Sequence, residues 1–392
     1  MVRIRPRQDA AVPGAAVPET AAPGAAASGT AVSVPSAATL VRLRRSRPAL
    51  RVWALSWVWR PRMVLALSVT GLLVVALGLL TVSTGDYFIP LPDVFAALSG
   101  DSGDAGNRLV VMEFRLPRAV LGAAAGAALG ISGAIVQSVA RNPLASPDVL
   151  GITAGAGTVA VAAATGASGF GVLAGAIGTT AAAIAGGLGT GLAVYLLAWR
   201  RGIDGYRLIL IGIAVTAFLH AVTDWLLARA DLRNAAAAQS WLSGSLDGRD
   251  WSDAAVVAIG LSCCVALLFW HARSLGPMQL GDDCAVGVGV PLGRARALLL
   301  IIAVLLAGVA VAGVGPVPFV AFAAPQIAMR LCRAPVPPLV GSAATGALLL
   351  LGADWTARSL WERELPVGVI TALLGGPLLV ALVLRRNRRI GR

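Results

Sequence analysis

Runs of roughly 20 apolar residues recur along this chain, and a helix of that length crosses the ~30 Å hydrocarbon layer of a bilayer. The alternating pattern typical of membrane β-strands is absent from these runs, and a helix satisfies its own backbone hydrogen bonds in lipid. We therefore predict an all-α polytopic membrane protein with about ten transmembrane helices. The predicted spans cover residues 63–82, 115–138, 150–168, 172–199, 206–228, 252–271, 297–314, 317–332, 337–357 and 365–384.

The composition supports a membrane protein and changes how its charge is interpreted. Of 392 residues, 57% are hydrophobic and 13% are charged, whereas soluble domains carry about 25% charged residues. All 32 basic residues are Arg, and the formal net charge is +13. In a soluble protein this charge would suggest a nucleic-acid partner, but here it lies between apolar segments. We interpret the charge as a signal that sets the membrane topology. We expect a lipid bilayer around the protein and no nucleic-acid partner.

Arg and acidic residues separate between alternate loops of the ten-span arrangement. With the N-terminus inside, the cytoplasmic segments hold most of the Arg residues, while the outer loops hold most of the acids, such as Asp93, Asp247 and Glu364. An odd number of spans would break this separation. We therefore predict a multi-pass protein of the cytoplasmic (inner) membrane with both termini in the cytoplasm.

Residues 1–62 differ in composition from the rest of the chain. Residues 10–39 are mostly Ala, Pro, Gly, Ser and Val with little periodicity, which predicts a disordered extension. Residues 42–62 contain seven Arg interleaved with Trp53, Trp57 and Trp59, a pattern typical of a juxtamembrane anchor at the lipid headgroups, with a regulatory contact as the alternative. The sequence thus divides into a cytoplasmic Ala/Pro-rich extension with a basic juxtamembrane segment (1–62) and a transmembrane domain (63–392).

Two polar segments and one series of glycines interrupt the apolar pattern. Gly122, Gly126 and Gly130 share one face of the second span, where they allow neighbouring backbones to approach closely. Residues 141–147 (RNPLASP) contain two prolines, which end the helix and predict a fixed turn. Residues 280–296 form a long polar, Gly-containing segment, which we interpret as a docking element at the membrane surface or as an ordinary loop.

Six motifs together resemble the FecCD family, the permease subunits of type II ABC importers for ferric siderophores, haem and cobalamin. The resemblance covers about residues 63–390. The motifs are RLPR (115–118), RNPLASPDVLG (141–151), WLSGS (241–245), LGDDCAVGVGV (280–290), GPVPFVAFAAPQ (315–326) and ELPVGVITALLGGP (364–377).

The resemblance implies a fold of ten helices per subunit, with two subunits, identical or merely similar, around a central pathway. It further implies two kinds of partner besides the second permease: ATP-binding cassette ATPase subunits and an extracytoplasmic substrate-binding protein. Many family members have His where this chain has Gln326, so no ionisable group is expected there. The site residues it implies are Arg115, Arg118 and Arg358 for docking of the binding protein, Asn142 and Leu144 for a cytoplasmic gate, and Leu280, Gly281, Asp282 and Asp283 for coupling to the ATPase.

Two pairs of polar residues at helical spacing lie within the predicted spans. His220 and Asp224 are four residues apart, so they share a face and are candidates for lining the pathway, although their position also suits an interfacial helix end. Asp354 and Arg358 have the same spacing and are expected to form an ion pair at the membrane edge, which would orient Arg358.

The function predicted from the sequence is that of an ABC importer permease, most readily for a ferric siderophore, that works by alternating access. Haem and cobalamin remain alternatives. We predict no enzymatic activity, because the Walker A phosphate loop needs a Lys and the chain has none, and we predict no catalytic, cofactor or metal site. An ion-coupled secondary transporter is disfavoured by the scarcity of charged groups in the spans, and an intramembrane enzyme by the lack of a convincing catalytic pair.

Overall fold

The computed structural model describes residues 49–52, 55–58, 61–85, 87–100, 104–165, 169–198, 205–360 and 364–390. The chain divides into two compact units, residues Met1–Trp59 and Arg60–Arg392. The predicted disordered stretch, 10–39, lies outside the described residues.

The first unit contains a short antiparallel hairpin that the sequence pattern did not predict. Strands β1 (Ala49–Val52) and β2 (Leu55–Val58) pair with Ala49 opposite Val58 and Val52 opposite Leu55. Val52, Trp57 and Val58 in these strands are of types that β-propensity favours. The hairpin lies within the basic segment, residues 42–62, that is predicted to be a juxtamembrane anchor or a regulatory contact.

All regular secondary structure in the described residues of the second unit is helical. Its α-helices are α1 (Pro61–Ser83), α2 (Leu91–Ser99), α3 (Ala105–Leu109), α4 (Leu116–Ala140), α5 (Ile152–Thr165), α6 (Gly169–Ala198), α7 (Gly205–Arg229), α8 (Leu232–Leu242), α9 (Trp251–His271), α10 (Leu275–Gln279), α11 (Asp282–Gly287), α12 (Leu292–Val314), α13 (Val320–Leu331), α14 (Leu339–Ser359) and α15 (Val367–Ile390). A π-helical segment, Val110–Arg115, joins α3 to α4, and a 3-10 turn, Ala272–Ser274, joins α9 to α10.

Each of the ten predicted spans corresponds to a helix of 12 or more residues. Within the described residues, seven helical segments are long and apolar enough to cross a membrane, and three apolar helices are shorter: Ile152–Thr165, Val320–Leu331 and Val367–Ala381. The fold is therefore an all-α bundle of about ten spans, as predicted. Helix α6 is interrupted at Gly178, whose φ of 79° and ψ of 157° are not helical, so its continuous span is Gly178–Ala198.

Helices α4 and α12 form the centre of the bundle. Their fully buried side chains include Leu121, Leu129 and Ile135 on α4 and Leu299 and Leu306 on α12. A helix that is apolar on all sides is expected in such a central position. By contrast, α1 and α7 expose large apolar side chains, which suits helices whose outer faces contact lipid.

The glycines of α4 bring its backbone against two neighbouring helices, as their spacing predicts. A Cβ atom on Gly126 or Gly130 would collide with the backbone of α14 at Gly346 and Ser342. A Cβ on Gly133 would collide with the carbonyl oxygen of Ala321 on α13. That carbonyl lies four residues before Pro325, which has no N–H to donate to it. Gly133 therefore packs where α13 lacks an internal hydrogen bond.

Candidate functional site

Helix α4 runs from a charged cluster at its start to a proline-containing turn at its end. We call these two ends of the bundle the Arg118 end and the Arg141 end. Side-chain contacts group the loops accordingly. Asp247 and Glu364 contact Arg118, whereas Asp282 contacts Arg141. Each end holds a distinct set of the residues predicted from the sequence.

A shared carboxylate organises the Arg118 end. Asp354 is only 1% exposed, and its Oδ1 accepts hydrogen bonds from Arg118 Nη2 at 2.9 Å and Nε at 3.1 Å. Its Oδ2 lies 3.4 Å from Nε of Arg358, the i, i+4 pair expected from the sequence. Arg118 also reaches the exposed carboxylates of Asp247 at 3.4 Å and Glu364 at 3.3 Å. Asp354 therefore binds Arg118 through two hydrogen bonds and pairs with Arg358 over a longer distance, and its removal would leave buried positive charge without a partner.

Arg115 donates hydrogen bonds to three backbone carbonyl oxygens. Its Nη1 donates to the carbonyl oxygens of Val82 at 3.0 Å and Ser83 at 3.1 Å, and its Nη2 donates to that of Tyr87 at 2.8 Å. Its guanidinium also lies 5.0 Å from the centre of the Tyr87 ring. The last carbonyl oxygens of a helix have no intrahelical hydrogen-bond donor, and Arg115 supplies donors to two of them at the C-terminal end of α1.

Arg358 contributes to the same helix end. Its Nη2 donates to the carbonyl oxygen of Thr81 at 3.2 Å, and its Nη1 donates to that of Thr84 at 3.4 Å. A cavity of about 310 Å³ lies at this point, and Arg115, Arg118, Arg358, Asp247 and Glu364 are among its lining residues. The structure thus brings the three predicted docking arginines together around one cavity.

Three motifs that are distant in sequence meet through close backbone contacts. Gly244 of WLSGS and Gly315 of GPVPF have φ values of 70° and 75°, which favour glycine. A Cβ on Gly315 would lie 2.6 Å from the carbonyl oxygen of Trp241. Gly368 of ELPVG donates its N–H to the carbonyl oxygen of Gly244 at 3.4 Å, and Ser245 donates to that of Val314 at 3.0 Å.

A larger cavity, of about 630 Å³, lies beside this junction. Its lining includes Ser243, Pro316 and Gly368 from the three motifs, together with His220 and Asp224 of α7. The structure therefore brings both polar residues predicted on α7 to one cavity.

Asp148 lines the same cavity, and sequence reasoning did not single it out. Its Oδ1 accepts a hydrogen bond from the Thr153 hydroxyl at 2.5 Å. Burial raises the pKa of the Asp148 carboxyl, while the hydrogen bonds from Thr153 and from the backbone N–H of Phe319 counteract part of that increase. The one sequence feature that could have indicated Asp148 is its position directly after Pro147, in the turn that leads into α5.

The predicted gate residues lie in a hydrogen-bonded turn at the Arg141 end. Arg141 ends α4 in the left-handed conformation, with φ of 48°, and Asn142 donates its N–H to the carbonyl oxygen of Gln137 at 3.2 Å. The side-chain oxygen of Asn142 then accepts a hydrogen bond from the N–H of Leu144 at 3.0 Å. Asn residues commonly fix turns in this way.

A buried amide network joins this turn to α13. Gln326 Nε2 donates to Gln137 Oε1 at 2.6 Å and to the carbonyl oxygen of Pro143 at 3.4 Å. Gln137 Nε2 in turn donates to the carbonyl oxygen of Phe322 at 3.1 Å. Gln326, at the position where the family resemblance implies His, therefore supports the turn that contains Asn142 and Leu144.

The predicted coupling residues lie between the short helices α10 and α11 (Leu280 and Gly281) and at the start of α11 (Asp282 and Asp283), also at the Arg141 end. Gly281 separates the two helices with φ of 119°. Leu280 is 77% exposed and Asp283 is exposed, whereas Asp282 Oδ1 is 2.6 Å from both Arg141 Nη2 and Arg296 Nη2. The two adjacent carboxylates therefore have different surroundings.

A bundle of about ten apolar helices, with a charged cavity at one end and a fixed turn beside a short surface helix at the other, defines a polytopic membrane permease. The sequence model of the FecCD transport family matches residues 72–385. The chain belongs to this family, whose members are permease subunits of ABC importers.

Individual relatives agree with this assignment. The chain is 42% identical over 339 residues to the ferric enterobactin transport system permease protein of Escherichia coli K12, covering 85% of this chain and 99% of the relative. It is 38% identical to the achromobactin transport system permease protein of Dickeya dadantii, covering 81% and 90%. A solved inward-facing conformation of a metal-chelate type ABC transporter superposes with a TM-score of 0.70 at 27% identity, covering 81% of this chain and 98% of that one.

Proposed function

We propose that this chain is the permease subunit of an importer for a ferric siderophore, driven by a separate ATPase and supplied by a binding protein outside the cytoplasm. The observation that carries the proposal is the 42% identity over almost the whole length of a ferric enterobactin permease. Cobalamin is the second candidate substrate, because the cobalamin import permease of Halobacterium salinarum is 37% identical over 285 residues.

The Arg118 end is the docking site for the binding protein in this proposal. Arg118 carries the main contact, because two of its three carboxylate partners, Asp247 and Glu364, are exposed and can be exchanged for carboxylates of a partner. Arg115 and Arg358 support it by holding the end of α1 in place. Charge-assisted hydrogen bonds to such partners contribute on the order of 1.5–3 kcal/mol each.

The pathway runs along the 630 Å³ cavity, between two permease subunits that form a homodimer or heterodimer. His220 and Asp224 line it, and the turn containing Asn142 and Leu144 closes it at the cytoplasmic side. The exposed apolar side chains of the α10–α11 segment, Leu280, Val286 and Val288, dock on the ATPase together with Asp283. ATP binding and hydrolysis then move this segment and change access to the pathway.

The proposal is tested by uptake in cells that lack the gene and in cells that carry it again. Iron-55 is supplied as ferric enterobactin, ferric citrate or a ferric hydroxamate, and cobalt-57 cobalamin is supplied in parallel. We expect iron uptake from at least one ferric chelate to depend on this chain and on hydrolysable ATP. Uptake of cobalamin alone would overturn the siderophore assignment, and uptake that persists in ATP-depleted cells would overturn the ABC mechanism.

A further inference from the structure

We infer that Asp282 is a positioning residue within the chain. It links the coupling segment, which is helices α10 and α11, to the gate turn, which is the turn from Arg141 to Leu144. In this role it is not a contact of the ATPase, which leaves that contact to its neighbour Asp283. The inference rests on the proposed function, because it takes the α10–α11 segment as the element on which the ATPase acts.

The first observation is an ion triad. Asp282 Oδ1 accepts hydrogen bonds at 2.6 Å from Arg141 Nη2 and from Arg296 Nη2. Arg296 belongs to α12 and is buried, while Arg141 is the residue at which α4 ends and the gate turn begins. One carboxylate therefore joins the coupling segment, the central helix α12 and the gate turn. Short hydrogen bonds between charged groups are stronger than neutral ones, and two of them converge on this oxygen.

A second, independent link runs parallel to the triad. Gln279 Nε2 donates to the carbonyl oxygen of Ser138 at 3.1 Å, in the last turn of α4. Met278 and Ala285, on the same segment, are buried. On the inner face of α10–α11, the side chains of Gln279 and Asp282 thus bind the end of α4, and those of Met278 and Ala285 are buried.

The outer face of the same segment has the opposite character. Asp283 is exposed, and Val286 and Val288 are 61% and 68% exposed. Adjacent residues therefore divide the two tasks: Asp283 faces outwards, where a partner can bind, and Asp282 faces the gate turn. A displacement of the segment is transmitted to the end of α4 through the ion pair of Asp282 with Arg141.

Hydrogen bonds connect the backbone at Arg141 to the end of α4 and, through Gln137, to α13. Its φ of 48° is unusual for a residue with a side chain, and its N–H donates to the carbonyl oxygen of Ser138. The next residue, Asn142, bonds back to Gln137, whose side chain reaches α13. Displacement of Arg141 therefore moves the gate turn and α13 together, as coupling through a contiguous network requires.

The test compares Asp282→Asn with Asp283→Asn in the complete transporter with its ATPase and binding protein, in liposomes. The probe is iron-55 carried by whichever of ferric enterobactin, ferric citrate and a ferric hydroxamate the wild type transports. The decisive readout is iron imported per ATP hydrolysed, with ATPase co-purification measured alongside. For Asp282→Asn we expect co-purification within twofold of wild type and a tenfold or greater loss of iron per ATP. For Asp283→Asn we expect weaker co-purification with iron per ATP unchanged.

Arg141→Gln breaks the same link from the gate side and leaves the coupling segment intact. It should reproduce the loss of coupling, whereas Arg294→Gln, an exposed Arg at the start of α12, should not. Asp282→Glu, which keeps the charge, should recover part of the coupling. The inference is overturned if Asp282→Asn or Arg141→Gln keeps the wild-type ratio of iron to ATP. Failure of the proposed function is distinguishable, because the wild type itself would then import no ferric chelate.

Discussion

Arg118 is held by three carboxylates, and these differ in how easily a partner could replace them. Asp354 is buried beneath it, whereas the side chains of Asp247 and Glu364 are 72% and 46% exposed. Exposed ion pairs are worth only about 0–1 kcal/mol, so the outer two are weak competitors for a carboxylate of the binding protein. Asp354 instead fixes the direction of the guanidinium.

This arrangement predicts that removing the outer acids strengthens docking. The double change Asp247→Asn and Glu364→Gln should raise the affinity for the binding protein by up to about fivefold for each acid removed, since each exposed pair offers competition worth up to about 1 kcal/mol. Affinity is measured by surface plasmon resonance on permease in nanodiscs. Asp93→Asn, an exposed acid on α2 outside the cavity, should leave the affinity unchanged and serves as the control. A lower affinity in the double variant would exclude Arg118 as the docking residue.

At the residue scale, sequence motifs predicted where the arginines lie but could not predict what they contact. The carbonyl oxygens that Arg115 binds belong to the end of α1 and to Tyr87, about 30 residues earlier in the chain. Contacts of this kind depend on how α1 packs against α4, and no local pattern encodes that. The i, i+4 spacing of Asp354 and Arg358, by contrast, is a local feature of one helix, so their pairing could be predicted.

At the scale of the helices, glycine contacts distinguish essential from replaceable glycines. Gly130→Ala should destabilise the bundle by about 1–3 kcal/mol, because the added methyl group meets the backbone of α14 at Ser342. Gly308→Ala, in the middle of α12, has open space for the methyl group, and Ala favours a helix by up to about 1 kcal/mol. We therefore expect a lower Tm for the first variant and an equal or higher Tm for the second, measured by thermal unfolding in detergent. Equal Tm values for the two variants would contradict the close packing of α4 on α14.

The apolar pattern located the helices well and their exact limits less well. The predicted span 317–332 becomes α13, Val320–Leu331, because residues 315–319, which include Pro316 and Pro318, are not helical and contribute to the motif junction. The predicted span 150–168 begins two residues early, because α5 starts at Ile152, and residues 166–168 lie outside the described part of the chain. Periodicity reports burial, and Leu150 and Gly151 before α5 and Gly315 and Val317 before α13 are buried although their backbone is not helical.

At the scale of the whole molecule, contacts between loops define which helix ends lie together. Arg118 contacts the loop after α8 and the residues before α15, and Arg358 at the end of α14 contacts the end of α1. The contact of Asp282 with Arg141 joins the α10–α11 segment to the end of α4. This grouping agrees with alternate crossing of a membrane by successive spans. The excess of Arg in the loops that the ten-span arrangement groups with Arg141 predicts, under the positive-inside rule, that the Arg141 end faces the cytoplasm.

Ten crossings then return the chain to the side on which it began, which we expect to be the cytoplasm. Alkaline phosphatase is active only outside the cytoplasm, so a fusion after Arg392 should be inactive and a fusion at Asp247 should be active. Green fluorescent protein, which fluoresces in the cytoplasm, should give the reverse result at the same two positions and controls for expression. A third pair of fusions, after Pro143, should behave like the C-terminal pair, because the turn contacts Gln326 at the Arg141 end. Phosphatase activity at Arg392 would show an odd number of crossings, and activity at Pro143 would place the gate turn on the wrong side of the membrane for a cytoplasmic gate.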